Sequence, residues 1–377
     1  MELTSLPSLI FSPSADDISI AAEGDVVVRV MLSSYADRTV FDNTSTYSPG
    51  SDGNVHIVDL SELVNAVVLS DFDSSGLLVA GARSMSCQLN ISVKDGASVT
   101  SRAVYMWRNH TDVKPMFATQ LRRRSLIEGQ PQPVSILTAG QSGLKLIVGA
   151  AYRLSGNSGL SWREAVIEPD CSKDYFTFLA DTSEIKQVTT APEGSSLLYC
   201  TLTLQQNDKQ ADCIRFDIDR KTRRSHATHF VYLNLFGVPE CVSFTGKDEE
   251  IQELDSDFGY AGREYVRLDA QLVESHKSHS GWLSAEKRRA VYDLMSSPYA
   301  TVYEGGVLRR ITITEVDSKV SRPVNEPQSV AVTWRYAEDR LMRQPFVTPN
   351  TGTASVVVLA LYQRCTLKDD ISYLLPT

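Results

Sequence analysis

One stretch, His279 to Asp317, constrains the fold more than any other. It reads as a strand end, a helix, a sharp stop, a strand, a turn and a second strand. Ser284 is placed to cap the helix, because its hydroxyl can accept from an orphan N–H of the first turn. Glu286 follows near the positive helix end, where a carboxylate is favoured. Leu283, Val291, Leu294 and Met295 recur at near-helical spacing and form one apolar stripe. Pro298 cannot continue the ladder and turns Ser297 out of helical dihedrals. The spacing therefore predicts a helix over 284–296, then strands Tyr299–Tyr303 and Val307–Thr314 joined at Glu304-Gly-Gly306. The stripe needs a sheet to cover, and the alternating segments Tyr265–Val273 and Ser329–Tyr336 are the expected seat. Lys287, Arg288 and Arg289 would then face solvent or a neighbouring subunit.

Nearly everything else reads as strands, so the expected class is mainly β: sandwich modules plus a C-terminal, split-barrel-like α+β domain carrying one main helix. With 377 residues the chain exceeds one ordinary core, and four spans are expected. Residues 1–120 form a β-sandwich domain, with strands Asp25–Leu32, Thr39–Phe41, Asn54–Val58 and Thr100–Trp107. A turn cluster lies at Thr46–Gly53, one or two strands at Gly76–Lys94, and a short helix at Asp59–Leu69. Residues 121–227 form a β-rich middle domain. There Pro133–Thr138 and Leu144–Val148 read as a pair joined by Ala139-Gly-Gln-Ser-Gly143. Tyr175–Leu179, Glu184–Val188 and Ser196–Leu204 read as further strands. Ile214, Phe216 and Ile218 alternate with Arg215, Asp217 and Asp219, the mark of a half-buried strand. Residues 228–344 carry the helix, with Val330, Val332, Trp334 and Tyr336 on one strand face and Val266, Leu268, Ala270 and Leu272 on another. Residues 345–377 are a connector and one strand, Ala354–Tyr362.

Composition excludes several classes. A net charge of −9 gives no basic footprint for sequence recognition of nucleic acid. Met1 to Pro7 lacks the basic and apolar regions of a signal peptide, and the longest apolar run, Val356–Tyr362, is too short to span a bilayer. A soluble chain made in the cytoplasm, without membrane insertion, is the expectation. The cysteines Cys87, Cys171, Cys200, Cys213, Cys241 and Cys365 show no paired spacing, so free, mostly buried thiols are expected.

No catalytic, cofactor-binding or metal residue is assigned. His226/His229 and His276/His279 are HxxH pairs, and Cys213 lies upstream, but neither pair has zinc-finger or zincin spacing. Asp71-Phe-Asp-Ser-Ser-Gly76 begins like a calcium loop, yet its twelfth position is Ala82 rather than a bidentate Glu. Gly140-Gln-Ser-Gly-Leu-Lys145 lacks the full phosphate-loop frame, and no nucleophile elbow occurs. Three basic clusters stand out: Arg122–Arg124, Arg220–Arg224 and Lys287–Arg289. Each reads as solvated surface or as a contact to an acidic neighbouring copy.

Several stretches resemble tail-associated structural proteins of phages and prophages of gut anaerobes, of the distal-tail, baseplate or hub type. They are Phe230-Val-Tyr-Leu-Asn-Leu-Phe-Gly237 with Ser243-Phe-Thr-Gly-Lys247, Gly281-Trp-Leu-Ser284, and Leu294-Met-Ser-Ser-Pro298. Val330–Ala337 and the N-terminal Thr46–Pro49, Asp52–Val55 and Asp59-Leu60 are similar in the same way. The resemblance implies a non-enzymatic virion component of a tail or baseplate, made in the host cytoplasm. It implies other tail subunits as partners and a homo-oligomeric ring. From another class, the strand-rich pattern also suits a carbohydrate-binding or adhesin-like β-sandwich protein, which an exposed platform of Trp and Tyr would distinguish. A glycosidase comes third, since carboxylates are plentiful.

Overall fold

The computed structural model describes residues 9–11, 18–33, 39–57, 77–84, 87–95, 98–107, 116–138, 141–155, 159–220, 227–261, 264–297, 299–318 and 329–337. The chain divides into two units, 1–335 and 336–377, and only the first two residues of the second are described. The expected helix at Asp59–Leu69, the Asp71–Gly76 turn, Lys221–Arg224, His226, Pro298, Cys365 and the strand at Ala354–Tyr362 lie outside the described residues. The fold is mainly β, as the alternating patterns require.

The N-terminal part contains β1 (Leu9–Phe11), β2 (Ile18–Ala21), β3 (Val26–Ser33), β4 (Thr39–Tyr47), β5 (Asn54–Ile57), β6 (Gly81–Arg83), β7 (Cys87–Asp95) and β8 (Ser98–Trp107). A five-stranded sheet runs β1-β8-β7-β3-β4, and β2 pairs with β5. In β3, Val26, Val28 and Val30 are buried while Val27 and Arg29 face out, the period of two expected for one covered face. Strand β6 leaves this part and pairs with a strand of the middle sandwich.

The middle part has β9 (Arg123–Ile127), β10 (Gln132–Leu137), β11 (Leu144–Arg153), β12 (Leu160–Ile167), β13 (Tyr175–Ala180), α1 (Thr182–Val188), β14 (Ser196–Gln206) and β15 (Lys209–Asp219). A three-stranded sheet, β10-β13-β6, packs on a five-stranded one, β12-β11-β14-β15-β9. Phe117, Ile136, Val148, Tyr152, Leu202 and Phe216 fill the core between them. Ile214 and Phe216 point into that core and Ile218 packs against it, so the alternation of β15 holds. Two readings need correction. Glu184–Val188 lies in α1, not a strand. Asp181 caps that helix by accepting from the Ser183 N–H at 3.2 Å, and Ile185 is buried against the sandwich. The segments Pro133–Thr138 and Leu144–Val148 do not pair. β10 pairs with β13 and β11 with β12 and β14, so their connection crosses between the two sheets.

The last part has β16 (Thr228–Leu233), β17 (Pro239–Phe244), β18 (Asp248–Ala261), β19 (Glu264–His279), α2 (Ala285–Ser296), β20 (Ala300–Glu304), β21 (Val307–Ser318) and β22 (Val330–Tyr336). The strand order is β17-β16-β20-β21-β22-β19-β18. Its two ends meet, because β17 runs through Thr245–Lys247 into β18. The Gly246 N–H donates to the His279 carbonyl at 3.0 Å, and the His279 N–H donates to Lys247 at 2.9 Å. A Cβ on Gly246 would stand 2.6 Å from the His279 oxygen, so this closure requires glycine. Across the interior the Phe230 ring meets Phe244 at 5.0 Å and Trp334 at 6.0 Å, although β20 and β21 separate β16 from β22 in the sheet. The sheet is therefore a barrel.

Ser284 caps α2 as its sequence position demands, accepting from the Lys287 N–H at 3.2 Å. Val291 and Leu294 are buried, Met295 is half-buried, and the Tyr232 hydroxyl donates to the Ala290 carbonyl at 2.8 Å. The helix packs on β16 and β17. This corrects the expected seat on Ser329–Tyr336, whose inward Trp334 is already covered by Phe230 and stacked at 4.3 Å on His276. The side chains of Tyr265–Val273 lie outside the described residues. β18 and β19 pair from Asp248↔Ser278 to Ala261↔Glu264, but β22 accompanies β19 only from His276 to His279. Beyond that point the hairpin is a two-stranded ribbon among the described residues, about 35 Å long at about 3.3 Å per residue.

Candidate functional site

The basic triplet Arg122–Arg124 does not form one patch. Successive residues of a strand point to opposite faces, and the three guanidiniums reach three carboxylates. Arg122 pairs with Asp212 at 2.9 Å, Arg123 with Asp217 at 2.6 Å and Arg124 with Glu240 at 2.6 Å. The last pair joins the sandwich to the barrel and is almost fully buried, at 3% and 2% side-chain exposure. Arg124 also donates to Thr119 Oγ1 at 2.7 Å, and that hydroxyl donates to Glu240. Asn234 Nδ2 donates to Glu240 Oε2 and to the Ala118 carbonyl, both at 2.8 Å. Arg220 donates to the Leu197 carbonyl at 2.5 Å. In the third cluster only Arg289 is exposed; Lys287 and Arg288 are half-buried, which corrects the expected outward placement. Burial lowers the Lys287 pKa, against the opposing charge of Asp219.

His229 is a second tie between the two parts. Its ring is buried, with Nε2 3.1 Å from the Pro131 carbonyl and Nδ1 2.8 Å from Ser243 Oγ. A carbonyl only accepts, so Nε2 carries a proton, while Nδ1 meets a hydroxyl that is itself placed to donate to Gln130 Oε1 at 3.4 Å. Both ring nitrogens are thus engaged within the protein. His276 stacks on Trp334, and His279 lies 3.9 Å from Glu249. Among the described residues no three His, Cys, Asp or Glu side chains are grouped to hold a metal ion. Cys171, Cys200, Cys213 and Cys241 are free thiols, and burial pushes Cys200 and Cys241 up to about 12. Such thiols are poor nucleophiles at neutral pH. No described helix is long and apolar enough to cross a membrane.

Beside this junction opens a polar groove of about 940 Å³, lined by Gln130, Thr228, Thr245, Lys247, Asp248, Tyr303 and Glu304, among others. Its charges have partners: Lys247 pairs with Glu249 at 2.7 Å, Asp248 accepts from Ser278 Oγ at 2.6 Å, and Glu304 lies 3.6 Å from Arg309. The groove offers hydrogen-bonding surface rather than an activated acid or base.

The other side of the five-stranded sheet differs. Register places Trp162 opposite Ala151, Glu164 opposite Gly149, Tyr199 opposite Asp217, and Arg215 opposite Thr201 and Arg123, all on the outward face. Trp162 is 45% exposed and lies against the bare backbone of Gly149. Its indole Nε1 donates to Glu164 Oε1 at 2.7 Å. The Tyr199 ring lies 6.0 Å away, tilted at 44°, and the Arg215 guanidinium covers it at 4.2 Å. Arg215 Nε donates to Asp217 Oδ1 at 2.9 Å and Arg123 Nε to Asp217 Oδ2 at 2.6 Å. Partial burial would raise the Asp217 pKa, but these two arginines outweigh it and hold the carboxyl below its ordinary value. No motif pointed here, because the face is assembled from five strands. Its local signals were the alternation Leu160, Trp162, Glu164, Val166 on β12 and the outward Arg215 and Asp217 of β15.

No known family model matches the chain, and no curated protein does. Among solved structures, domains 4 and 5 of the S-layer protein SbsC share 10% identity over 51% of this chain and 96% of theirs, with a TM-score of 0.15. Squid arrestin shares 9% over 53% of this chain and 85% of its own, with a TM-score of 0.16. The SGBP-B protein of the Bacteroides ovatus mixed-linkage glucan utilization locus, in complex with a mixed-linkage heptasaccharide, shares 10% over 85% of this chain and 71% of its own, with a TM-score of 0.15. Likeness at this level carries no argument about what this chain does.

Proposed function

We propose that the chain is a non-enzymatic structural component of a phage tail or baseplate, acting by assembly with copies of itself and with neighbouring subunits. The observation that supports this reading is the β18–β19 ribbon. An isolated two-stranded hairpin is marginal in water, and three strands or a packed face are needed for independent stability. Beyond Ser275 no third strand pairs with this ribbon among the described residues, and a strand edge without a neighbour offers its backbone donors and acceptors to another chain. A closed barrel supplies a rigid base for such an arm, and a heterologous contact from copy to copy closes into a ring when its rotation allows. The sequence resemblance to tail proteins agrees with that mode of action.

The test is oligomeric state. Sedimentation and mass measurement across a wide concentration range should show a ring-sized species for the full chain. Replacing residues 254–272 by a tight turn should abolish it while leaving the barrel's melting transition in place. An oligomer that survives the shortening removes the ribbon from the interface. A monomer at every concentration overturns self-assembly.

A further inference from the structure

We propose that the outward face of the five-stranded sheet is a binding platform for a neutral glycan, centred on the Trp162 indole, with the Arg215-covered Tyr199 ring beside it. A sugar ring presents C–H bonds on its faces and hydroxyls around its rim. Aromatic faces carry negative quadrupole density and attract the slightly positive C–H surface, while planar carboxylates and guanidiniums match the rim hydroxyls. Both kinds of group stand side by side here. The indole is pinned before any ligand arrives: Gly149 gives it a flat seat, and Glu164 holds its N–H. Any Cβ at position 149 would collide with Trp162 Cζ2 and stand 2.9 Å from Cη2, so the glycine is what lets the ring lie down. Tyr199 is fixed in turn by Arg215, which Asp217 orients. Preorganised rings and polar groups lose little entropy on binding.

Charge decides between occupants. The charged groups bonded into this cluster are Arg123, Arg215, Asp217 and Glu164, two of each sign, so the cluster itself gives an anionic polymer no net attraction. A second copy of the chain would have to bury these ion pairs at a cost in desolvation, which contact with the exposed Leu160 and Val166 of the same face offsets only in part. Sugar hydroxyls replace the water hydrogen bonds of the same groups.

Affinity electrophoresis of the full chain through galactomannan, xyloglucan, mixed-linkage β-glucan and amylopectin, with heparin as the anionic control, tests this. At least one neutral polymer should retard the protein. Trp162→Ala should weaken that binding by about tenfold or more. Gly149→Ala should weaken it through the displaced ring, while Trp282→Ala, at an indole before α2 that is 82% exposed, should leave it unchanged. If Trp162→Ala lowers the melting temperature, Tyr199→Ala reads the same face independently. Retardation by none of the four neutral polymers overturns the assignment, as does binding that survives both substitutions. Retardation by heparin alone overturns it too. A change of sedimentation coefficient in Trp162→Ala without glycan binding makes the face a protein interface instead. The ribbon experiment reads mass, so either proposal can fail without the other.

Discussion

Arg123 and Arg124 are neighbours on β9, and each holds a carboxylate at 2.6 Å, yet they serve two different regions. Arg123 belongs to the open face of the sheet, with 69% of its side chain exposed; Arg124 belongs to the junction with the barrel, with 3% exposed. Equal distances do not mean equal energies. On the open face water screens the pair and competes for both partners, so such contacts contribute about 0–1 kcal/mol. At the junction the pair itself adds little net stability over an apolar replacement, because burying two charges costs about as much as their attraction returns. Breaking one half is another matter. The surviving buried charge then has no counter-ion, only the neutral Thr119 hydroxyl, and Thr119 and Asn234 lose a shared acceptor. The junction is therefore a device for fixing how sandwich and barrel meet, and the open face is a surface free to change partners.

The largest expected effect breaks the junction. Glu240→Ala should destabilise the protein by about 3–5 kcal/mol, measured by denaturant unfolding. The double change Arg124→Met with Glu240→Leu should recover most of that loss, since no buried charge remains. A double variant as weak as Glu240→Ala alone would mean that the polar network, not the orphaned charge, sets the cost.

Next comes Gly149→Ala on the open face. The added methyl displaces Trp162 and crowds Thr201 Oγ1, at 2.9 Å from the ideal Cβ. Overpacking of this kind costs about 1–3 kcal/mol, less here to the extent that the half-exposed ring can swing into solvent. Tryptophan fluorescence should shift together with the melting transition. An unchanged spectrum would show that the indole does not rest on Gly149.

These two sites also mark what the sequence could and could not disclose. The helix at α2 was legible because its cap, stripe and stop are local: Ser284 bonds Lys287 three residues on, and Val291 and Leu294 follow at helical spacing. The faces of β15 and β22 were legible for the same reason. The helix α1 carried a comparable signal, Asp181-Thr-Ser-Glu184, a cap followed at the third position by an acid, but its few apolar residues suit a strand equally well. The junction was invisible because Arg124 and Glu240 lie 116 residues apart, and a run of three arginines looks like a solvated patch until the strand sends them to opposite faces. The outward side of β15 was legible one strand at a time, but the cluster around Trp162 was not, because Trp162, Gly149, Tyr199 and Arg215 meet only through the register of four strands. The crossing from β10 to β11 was misread because a glycine-rich connector fits a hairpin and a sheet-to-sheet crossover alike.

A smaller effect tests the open side of the comparison directly. Arg123→Ala should cost no more than about 1 kcal/mol, and a double-mutant cycle with Asp217→Ala should give a coupling in the same range. A coupling as large as that between Arg124 and Glu240 would erase the distinction between the two regions.

The smallest effect is the pH response of Asp217. Its carboxyl is held below the ordinary value because Arg123 and Arg215 favour the charged form more strongly than partial burial disfavours it. A depressed carboxylate contributes stability that is fully present above the unfolded value, about 3.9, and is lost as pH falls through the folded one. The contribution should therefore be constant through the neutral range and decline only below about pH 4. It should also be modest, since about a third of the side chain meets solvent. Carboxyl NMR should place the Asp217 midpoint below that of an unperturbed aspartate, and Arg123→Ala should move it upward. Arg215 alone then anchors the carboxylate, so the Tyr199 ring should keep its guanidinium cover and its chemical shift at neutral pH. A midpoint at or above the ordinary value would mean that burial outweighs both arginines.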